Sequence, residues 1–218
     1  MWRYQRNLTG VNEGINAAFH VSHVGACTGR DHFSGWGLEW INIGLSYLPY
    51  LHRFYGPADA RAAYLAVCDM AAHYGGHIIG IPRDSLPILE KQDGSGPLWE
   101  PGDDWEPVTA YRTYPNAQCA ILAFGAPAFL AGAAADALGG RADVHIVNGL
   151  PLASGALERL VKRYRRGVVT VEDGLIGDAY AGLRGFAGLV AGAAAQSKIP
   201  AAHIGIIDPT TAPSEGHM

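Results

Sequence analysis

The sequence predicts an α/β protein with parallel sheets, because short apolar strand patterns alternate with helical patterns along most of the chain. The 218 residues are 49% hydrophobic and 17% charged, which supplies enough apolar material for a sizeable core. Glycine is abundant, at 29 residues, without a Gly-X-Y period, and this favours turns and close packing over a collagen helix. Alternating strands and helices of this length are typically joined by right-handed crossovers.

The first part of the chain predicts three strands and two helices. The second helix starts in Pro57-Ala58-Asp59-Ala60, since proline needs no backbone N–H partner in the first turn and an acidic residue suits the helix dipole. In chain order the predicted elements are a strand over Ile15–Val21, a helix over Leu38–Leu48, a strand over Leu51–Tyr55, a helix from Pro57 to about His73, and a strand over His77–Ile81.

A stretch without periodicity separates this part from the rest. Residues Glu90–Asn116 are rich in Pro, Gly, Asp and Trp, and such a long irregular segment is unusual inside a compact domain. The stretch is therefore interpreted as a linker over residues 90–116 between domains at 1–89 and 117–218.

The part after the linker alternates more clearly. Gly139-Gly140 closes an Ala-rich helix, and Lys and Arg end the next one, as the helix dipole favours. The predicted elements are a strand over Cys119–Phe124, a helix over Pro127–Leu138, a strand over Val144–Val147, a helix over Gly155–Tyr164, a strand over Val168–Glu172, a helix over Asp178–Gln196 and a strand over His203–Ile207.

Composition excludes several classes of protein. The net charge is −4 and no basic stripe is present, which argues against a nucleic-acid partner. No apolar run reaches the roughly 18 residues of a membrane span, and the start lacks a signal-peptide core. Three widely separated cysteines argue against a disulfide framework. We therefore expect a cytoplasmic protein without a membrane partner.

One ordered set of motifs resembles a known family. It comprises Ser22–Asp31, Leu38-Glu39, Leu48-Pro49, Pro57-Ala58-Asp59-Ala60 and Pro82-Arg83-Asp84-Ser85-Leu86-Pro87. In this order it resembles the second half of the pyrimidine-binding domain of transketolases. Val168–Asp173 and His203–Asp208 resemble the C-terminal domain of that family. The resemblance covers roughly residues 15 to 218, and it implies a partial pyrimidine-type domain followed by a transketolase-type C-terminal α/β domain.

The resemblance also implies roles for three residues. His23 matches a substrate-contacting histidine and Asp31 an aspartate facing the sugar hydroxyl next to the reacting carbon, so both are candidate catalytic residues. Arg83 matches an arginine that binds the acceptor phosphate, for which a guanidinium is suited because it pairs bidentately. For each residue a purely structural role is the alternative. In that case His23 only caps a strand end, Asp31 only stabilises its loop, and Arg83 is only a surface residue.

The sequence departs from the family pattern in three ways. Gly35 stands where the family has a second histidine, four residues beyond Asp31. In the family, the glutamate that protonates the cofactor's aminopyrimidine lies so far before the loop histidine that its counterpart would precede Met1. Glu13 is rejected as that glutamate, because it is too close to His23 for the intervening crossover. The family's diphosphate- and metal-binding motif, Gly-Asp-Gly with a downstream Asn, has no match either.

The resemblance implies a subunit of a thiamine-diphosphate-dependent transferase that moves a two-carbon ketol or acyl unit, with a sugar phosphate or 2-oxoacid as substrate. Thiamine diphosphate, with Mg²⁺ or Ca²⁺, is expected to be bound mainly by a larger partner subunit, so the chain alone would be inactive. The alternatives are a non-catalytic assembly or dimerisation module and the beta subunit of a 2-oxoacid dehydrogenase. A homo- or hetero-oligomer is expected, because the apolar faces of Leu38–Leu48 and Ala179–Ala195 predict an exposed patch in a monomer.

Overall fold

The computed structural model describes residues 16–25, 35–177 and 182–208, which form an α/β fold of nine strands and five α-helices. The strands are β1 (Ala17–Val24), β2 (Arg53–Tyr55), β3 (Gly76–Pro82), β4 (Val108–Arg112), β5 (Cys119–Phe124), β6 (Ala142–Val147), β7 (Gly149–Leu150), β8 (Gly167–Leu175) and β9 (Ala201–Ile206). The helices are α1 (Gly35–Tyr47), α2 (Ala60–Ala72), α3 (Ala128–Ala137), α4 (Ala156–Lys162) and α5 (Gly185–Ser197). Within these ranges no helix is both long and apolar enough to cross a bilayer.

The predicted elements are present, with ends that shift by a few residues. Strand β5 has the predicted bounds, and α2 begins directly after Asp59, whose carboxylate caps it by accepting from Ala62 N at 2.8 Å. The other oxygen of Asp59 accepts from Leu89 N at 2.8 Å, which ties the chain after β3 to this helix start. The predicted start of the last helix, at Asp178, lies outside the described residues.

The first sheet has the order β1-β3-β2-β7. Strands β1 and β2 each pair in parallel with β3, whereas β7 pairs antiparallel with β2. Strand β7 comes from the part of the chain predicted as the second domain, so that part contributes one strand to the first sheet.

The second sheet has the order β4-β6-β5-β8-β9, in which only the pair β4–β6 is antiparallel. Strand β4 lies within residues 90–116, so the expectation of a wholly irregular linker is wrong at Val108–Arg112. A partly exposed edge strand carries no apolar run, and the sequence pattern therefore misses it. Leu89 and Trp99, before β4, are buried in the core beside this sheet.

Four aromatic rings join the two sheets into one core. Phe124, at the end of β5, lies 5.7 Å from Trp40, 5.6 Å from Phe54 and 5.5 Å from Phe186, measured between ring centroids. Trp40 comes from α1, Phe54 from β2 and Phe186 from α5, and all four rings are buried. The packing of the two sheets therefore depends on these rings, and Phe124 contacts all of the other three.

Helices α1 and α5 turn much of their apolar surface inward. Leu38, Trp40 and Ile41 of α1 are buried, and so are Phe186 and Val190 of α5. The expected exposed patch is therefore smaller than the whole of these two faces, because α1 packs on β8 and α5, whereas Ile43 and Leu189 stay 36% and 40% exposed.

Two buried ionisable groups of the second sheet predict opposite pH dependences of stability. Burial raises the pKa of Glu172 from 4.5 to about 7, although its carboxylate accepts from the backbone N–H groups of Phe186 and Ala187. Burial, followed by the charge of Arg163, lowers the pKa of His145 from 6.5 to about 4. Glu172 therefore stabilises the fold below pH 4.5 and loses that contribution as the pH rises through 7. His145 stabilises the fold above pH 6.5 and loses its contribution as the pH falls through 4.

We expect the two contributions to cancel in the parent protein and to separate in single variants. The free energy of unfolding of His145→Gln should fall as the pH rises from 5 to 7, and that of Glu172→Gln should rise, each by up to about 3 kcal/mol. Urea unfolding at both pH values measures this. Two variants whose stability changes in the same direction would contradict the assignment.

Candidate functional site

The first sheet brings two of the three predicted site residues to one edge. His23 is near the end of β1 and Arg83 directly follows β3. The two strands are parallel, and Val24 pairs with Pro82, so both residues lie at the carboxyl edge of the sheet. In open α/β sheets ligands bind at this edge. Asp31 lies outside the described residues.

The backbone at His23 has an unusual conformation. Its φ angle is 57°, in the left-handed region that side chains other than glycine seldom adopt, and the β1–β3 register shifts between Ser22 and Val24. A bulge of this kind re-aims a side chain at the end of a strand. Strained residues of this type occur preferentially at binding and catalytic sites, where surrounding contacts hold them.

The carboxylate of Asp173, in the second sheet, lies against Gly25, two residues after His23. A Cβ atom on Gly25, whose φ is +89°, would lie 1.9 Å from Asp173 Oδ2, so only glycine allows this approach. Asp173 lies in β8, and its backbone oxygen accepts a 2.9 Å hydrogen bond from Trp40 Nε1. Asp173 is part of the motif Val168–Asp173, to which the sequence analysis assigned no role in the site. Its position directly after the predicted strand Val168–Glu172 is the signal that could have identified it.

Asp84 is a second acidic residue that the sequence reasoning missed. It follows Arg83, is half-buried, and its Oδ2 atom is buried without a hydrogen-bond partner among the described residues. Buried carboxylate oxygens are normally paired, so one without a partner among the described residues, at the carboxyl edge of a sheet, is suited to accept from a hydroxyl or an amine. The edge therefore offers both a cation, Arg83, and an acceptor, Asp84.

Polar contacts connect α1 to the end of β8 and to the start of α5. Glu39 and Arg184 form an ion pair at 2.7 Å. The Asn42 side chain donates to Leu175 O at 2.9 Å and accepts from Gly185 N at 2.8 Å, which satisfies the first N–H of α5. These contacts hold α1 against β8 of the second sheet.

The described residues do not fit a metal-bound diphosphate. Their one group of three or more potential metal ligands comprises His52, Asp69 and His73, at the opposite edge of the first sheet from His23. Mg²⁺ and Ca²⁺ prefer oxygen ligands, whereas two of these three residues are imidazoles.

Several solved transketolase structures resemble the chain in fold. A split-gene transketolase, solved as an inactive beta4 tetramer, matches with a TM-score of 0.65 and 21% identity over 95% of this chain and 64% of that one. The transketolase of Campylobacter jejuni subsp. jejuni NCTC 11168 matches with a TM-score of 0.60 and 16% identity over 88% of this chain and 27% of that one. A mutant transketolase of Pichia stipitis gives a TM-score of 0.55 and 18% identity over 72% and 23%.

These matches establish that the chain has a transketolase-family fold, as the motif order predicted. The chain spans about two thirds of the split-gene protein and about a quarter of the two longer ones. No protein-family model and no curated protein matches the sequence.

Proposed function

We propose that the chain, which has a transketolase-family fold, is a subunit of a thiamine-diphosphate-dependent enzyme that transfers a two-carbon ketol or acyl unit. The observation that carries the proposal is the placement of His23 and Arg83 together at the carboxyl edge of one parallel sheet. A larger partner chain is proposed to bind the cofactor with its Mg²⁺ or Ca²⁺, because the described residues of this chain do not fit that group.

The proposed roles follow from the chemistry of the side chains. The His23 imidazole donates to a substrate hydroxyl or phosphate oxygen, and the Arg83 guanidinium pairs with the phosphate of a sugar-phosphate acceptor. Asp31 is proposed to accept from the hydroxyl next to the reacting carbon, as the family pattern implies. Asp84 adds an acceptor beside Arg83 whose buried oxygen lacks a partner among the described residues.

The split-gene transketolase supports a division of labour between two chains. Its match covers 95% of this chain, so nearly all of the sequence corresponds to part of a split-gene transketolase. The chain would then carry the acceptor side of the active site, and the partner would carry the cofactor and its metal.

A second candidate is a non-catalytic module that assembles with copies of itself. Strand β1 is an edge of the first sheet as described, and beside it lies an apolar groove of about 540 Å³ lined by Ala18, Val67, Ala71, Ile79 and other residues. Edge strands and apolar grooves favour association, and the split-gene relative is an inactive beta4 tetramer.

Affinity purification of the chain from its source, followed by cofactor calorimetry, tests both candidates. The isolated chain is expected to bind no thiamine diphosphate at micromolar concentrations in magnesium buffer, whereas a complex with a larger chain should bind it. The complex is then assayed with a ketose phosphate and with a 2-oxoacid as donors. Binding by the isolated chain would contradict the division of labour, and a complex that is inactive with both donors would favour the assembly module.

The backbone at His23 allows a test that separates activity from folding. Replacing His23 with Gly relieves the left-handed strain, so stability should stay the same or rise by about 1 kcal/mol. Activity of the reconstituted complex should fall at least about tenfold, because a hydrogen bond to the substrate is lost. Lys198→Gly is the matched control, since Lys198 also has a left-handed φ, 56°, at the end of α5. Equal activity of the two variants would remove His23 from the site.

A further inference from the structure

The amino-terminal edge of the first sheet carries a cluster of ionisable side chains that the proposed function does not use. His52 immediately precedes β2, Asp69 lies in the last turn of α2, and His73 caps the end of that helix. His23 and Arg83 lie at the opposite, carboxyl edge of the sheet. We call His52, Asp69 and His73 the amino-edge cluster.

The three side chains converge on one point. Each offers a ligand atom, and these atoms all lie within 4.8 Å of one another. His73 Nδ1 is 2.9 Å from the backbone oxygen of Asp69 and 3.0 Å from its Oδ1 atom, and the rings of His52 and His73 stack with centroids 4.7 Å apart. The four-residue spacing of Asp69 and His73 places both side chains on the same face of the helix end.

His52 has a buried ring nitrogen without a partner. Its Nε2 atom is shielded from solvent and makes no hydrogen bond to any residue that the structure describes, although buried polar atoms are normally paired. Burial is also the main reason that the pKa of His52 is lowered, and the neighbouring charges of Arg53, His73 and His77 add to the effect.

Neighbouring residues orient the cluster without completing it. Tyr55 Oη donates to Asp69 Oδ2 at 2.7 Å, which leaves Oδ1 directed towards His73. Both ring nitrogens of His77 are engaged, one with Tyr55 Oη at 3.2 Å and the other with His73 O at 3.0 Å, so His77 supports the cluster and is not a ligand. Hydrogen-bonded neighbours of this kind fix the orientation of metal ligands.

Arg53 competes for the carboxylate. Its Nε lies 2.8 Å from Asp69 Oδ2 but makes no aligned hydrogen bond, so the contact is an ion pair only. The guanidinium also lies over the Trp105 ring, 4.5 Å from its centroid, which gives it a second partner. A metal on the Oδ1 side would leave the Arg53 contact in place.

We propose that His52, Asp69 and His73 bind a divalent transition metal ion of the Zn²⁺ class, with water completing the coordination. Imidazole and carboxylate are suitable ligands for Zn²⁺, and three protein ligands with one open position are a common arrangement. The converging ligand atoms and the unpartnered His52 Nε2 carry the proposal. It is independent of the proposed transferase function.

Isothermal calorimetry of the full chain, without a histidine tag and stripped by a chelator, tests the site with ZnCl₂. We expect one Zn²⁺ per chain and a thermal stabilisation that the chelator reverses. His73→Ala should weaken binding more than about tenfold, and His52→Ala should do the same. The His73 side chain is 44% exposed, so the His73→Ala variant is expected to fold.

His203→Gln is the matched control, because His203 lies in β9 of the second sheet, bonded to Thr170 Oγ1. It should bind Zn²⁺ like the parent, and Co²⁺ should give the visible absorption of a four-coordinate site in parent and control but not in His73→Ala. Circular dichroism checks the folding of each variant. The proposal would be overturned if the parent bound no Zn²⁺, or if His73→Ala and His203→Gln lost Zn²⁺ affinity equally.

Discussion

Arg83→Ala is expected to lower kcat/KM for phosphorylated acceptors by ten- to a hundredfold or more in the complex with the partner chain. Arg83 lies at the carboxyl edge of the first sheet, directly after β3 and next to the end of β1. Hydrogen bonds between a charged donor and a phosphate are worth roughly 1.5–3 kcal/mol each, which corresponds to that loss. Steady-state kinetics with a matched phosphorylated and unphosphorylated acceptor pair measures the effect.

The comparison of acceptors separates phosphate binding from folding. The unphosphorylated acceptor should be turned over almost equally by parent and variant, because it has no group for the guanidinium to bind. Arg83→Lys should fall between parent and Arg83→Ala, since an ammonium keeps the charge but loses the bidentate geometry. Arg141→Ala, which removes an exposed arginine just before β6, is the control for general loss of positive charge. Equal losses with both acceptors would show that Arg83 supports the fold and does not bind phosphate.

Phe124→Ala is expected to lower the free energy of unfolding by about 3–5 kcal/mol, because it leaves a cavity among three other buried rings. Phe124 is fully buried and contacts Trp40, Phe54 and Phe186, which come from different elements on both sheets. Urea unfolding followed by tryptophan fluorescence measures the change, since Trp40 is part of the same cluster.

Tyr64→Ala is the control for the loss of an aromatic ring. Tyr64 lies in α2 and is 54% exposed, so its removal should change the free energy of unfolding by less than about 0.5 kcal/mol. A single cooperative transition in the parent, lost in Phe124→Ala, would indicate that the ring couples the two sheets. A loss below about 1 kcal/mol in Phe124→Ala would contradict the central position of this ring in the core.

The sequence predicted the elements whose signals are local. Strand β5 is a short apolar run, and α2 carries a proline and a capping aspartate at its start, so neighbouring residues alone define both. The order of the family motifs, read together, also predicted the transketolase-family fold that the solved structures confirm. It placed His23 and Arg83 at strand ends, and parallel pairing of β1 with β3 then brings the two to one edge.

Long-range pairing decided what the sequence could not predict. Strands β4 and β7 are too short or too exposed to carry a pattern, and they exist because β6 and β2 offer them hydrogen-bond partners. The approach of Asp173 to Gly25 and the convergence of His52 with Asp69 join residues far apart in the chain. A sequence states which side chains are available, but strand pairing and helix packing within the first sheet, together with the packing of β8 against it, fix their distances. The chemistry at both edges depends on those distances.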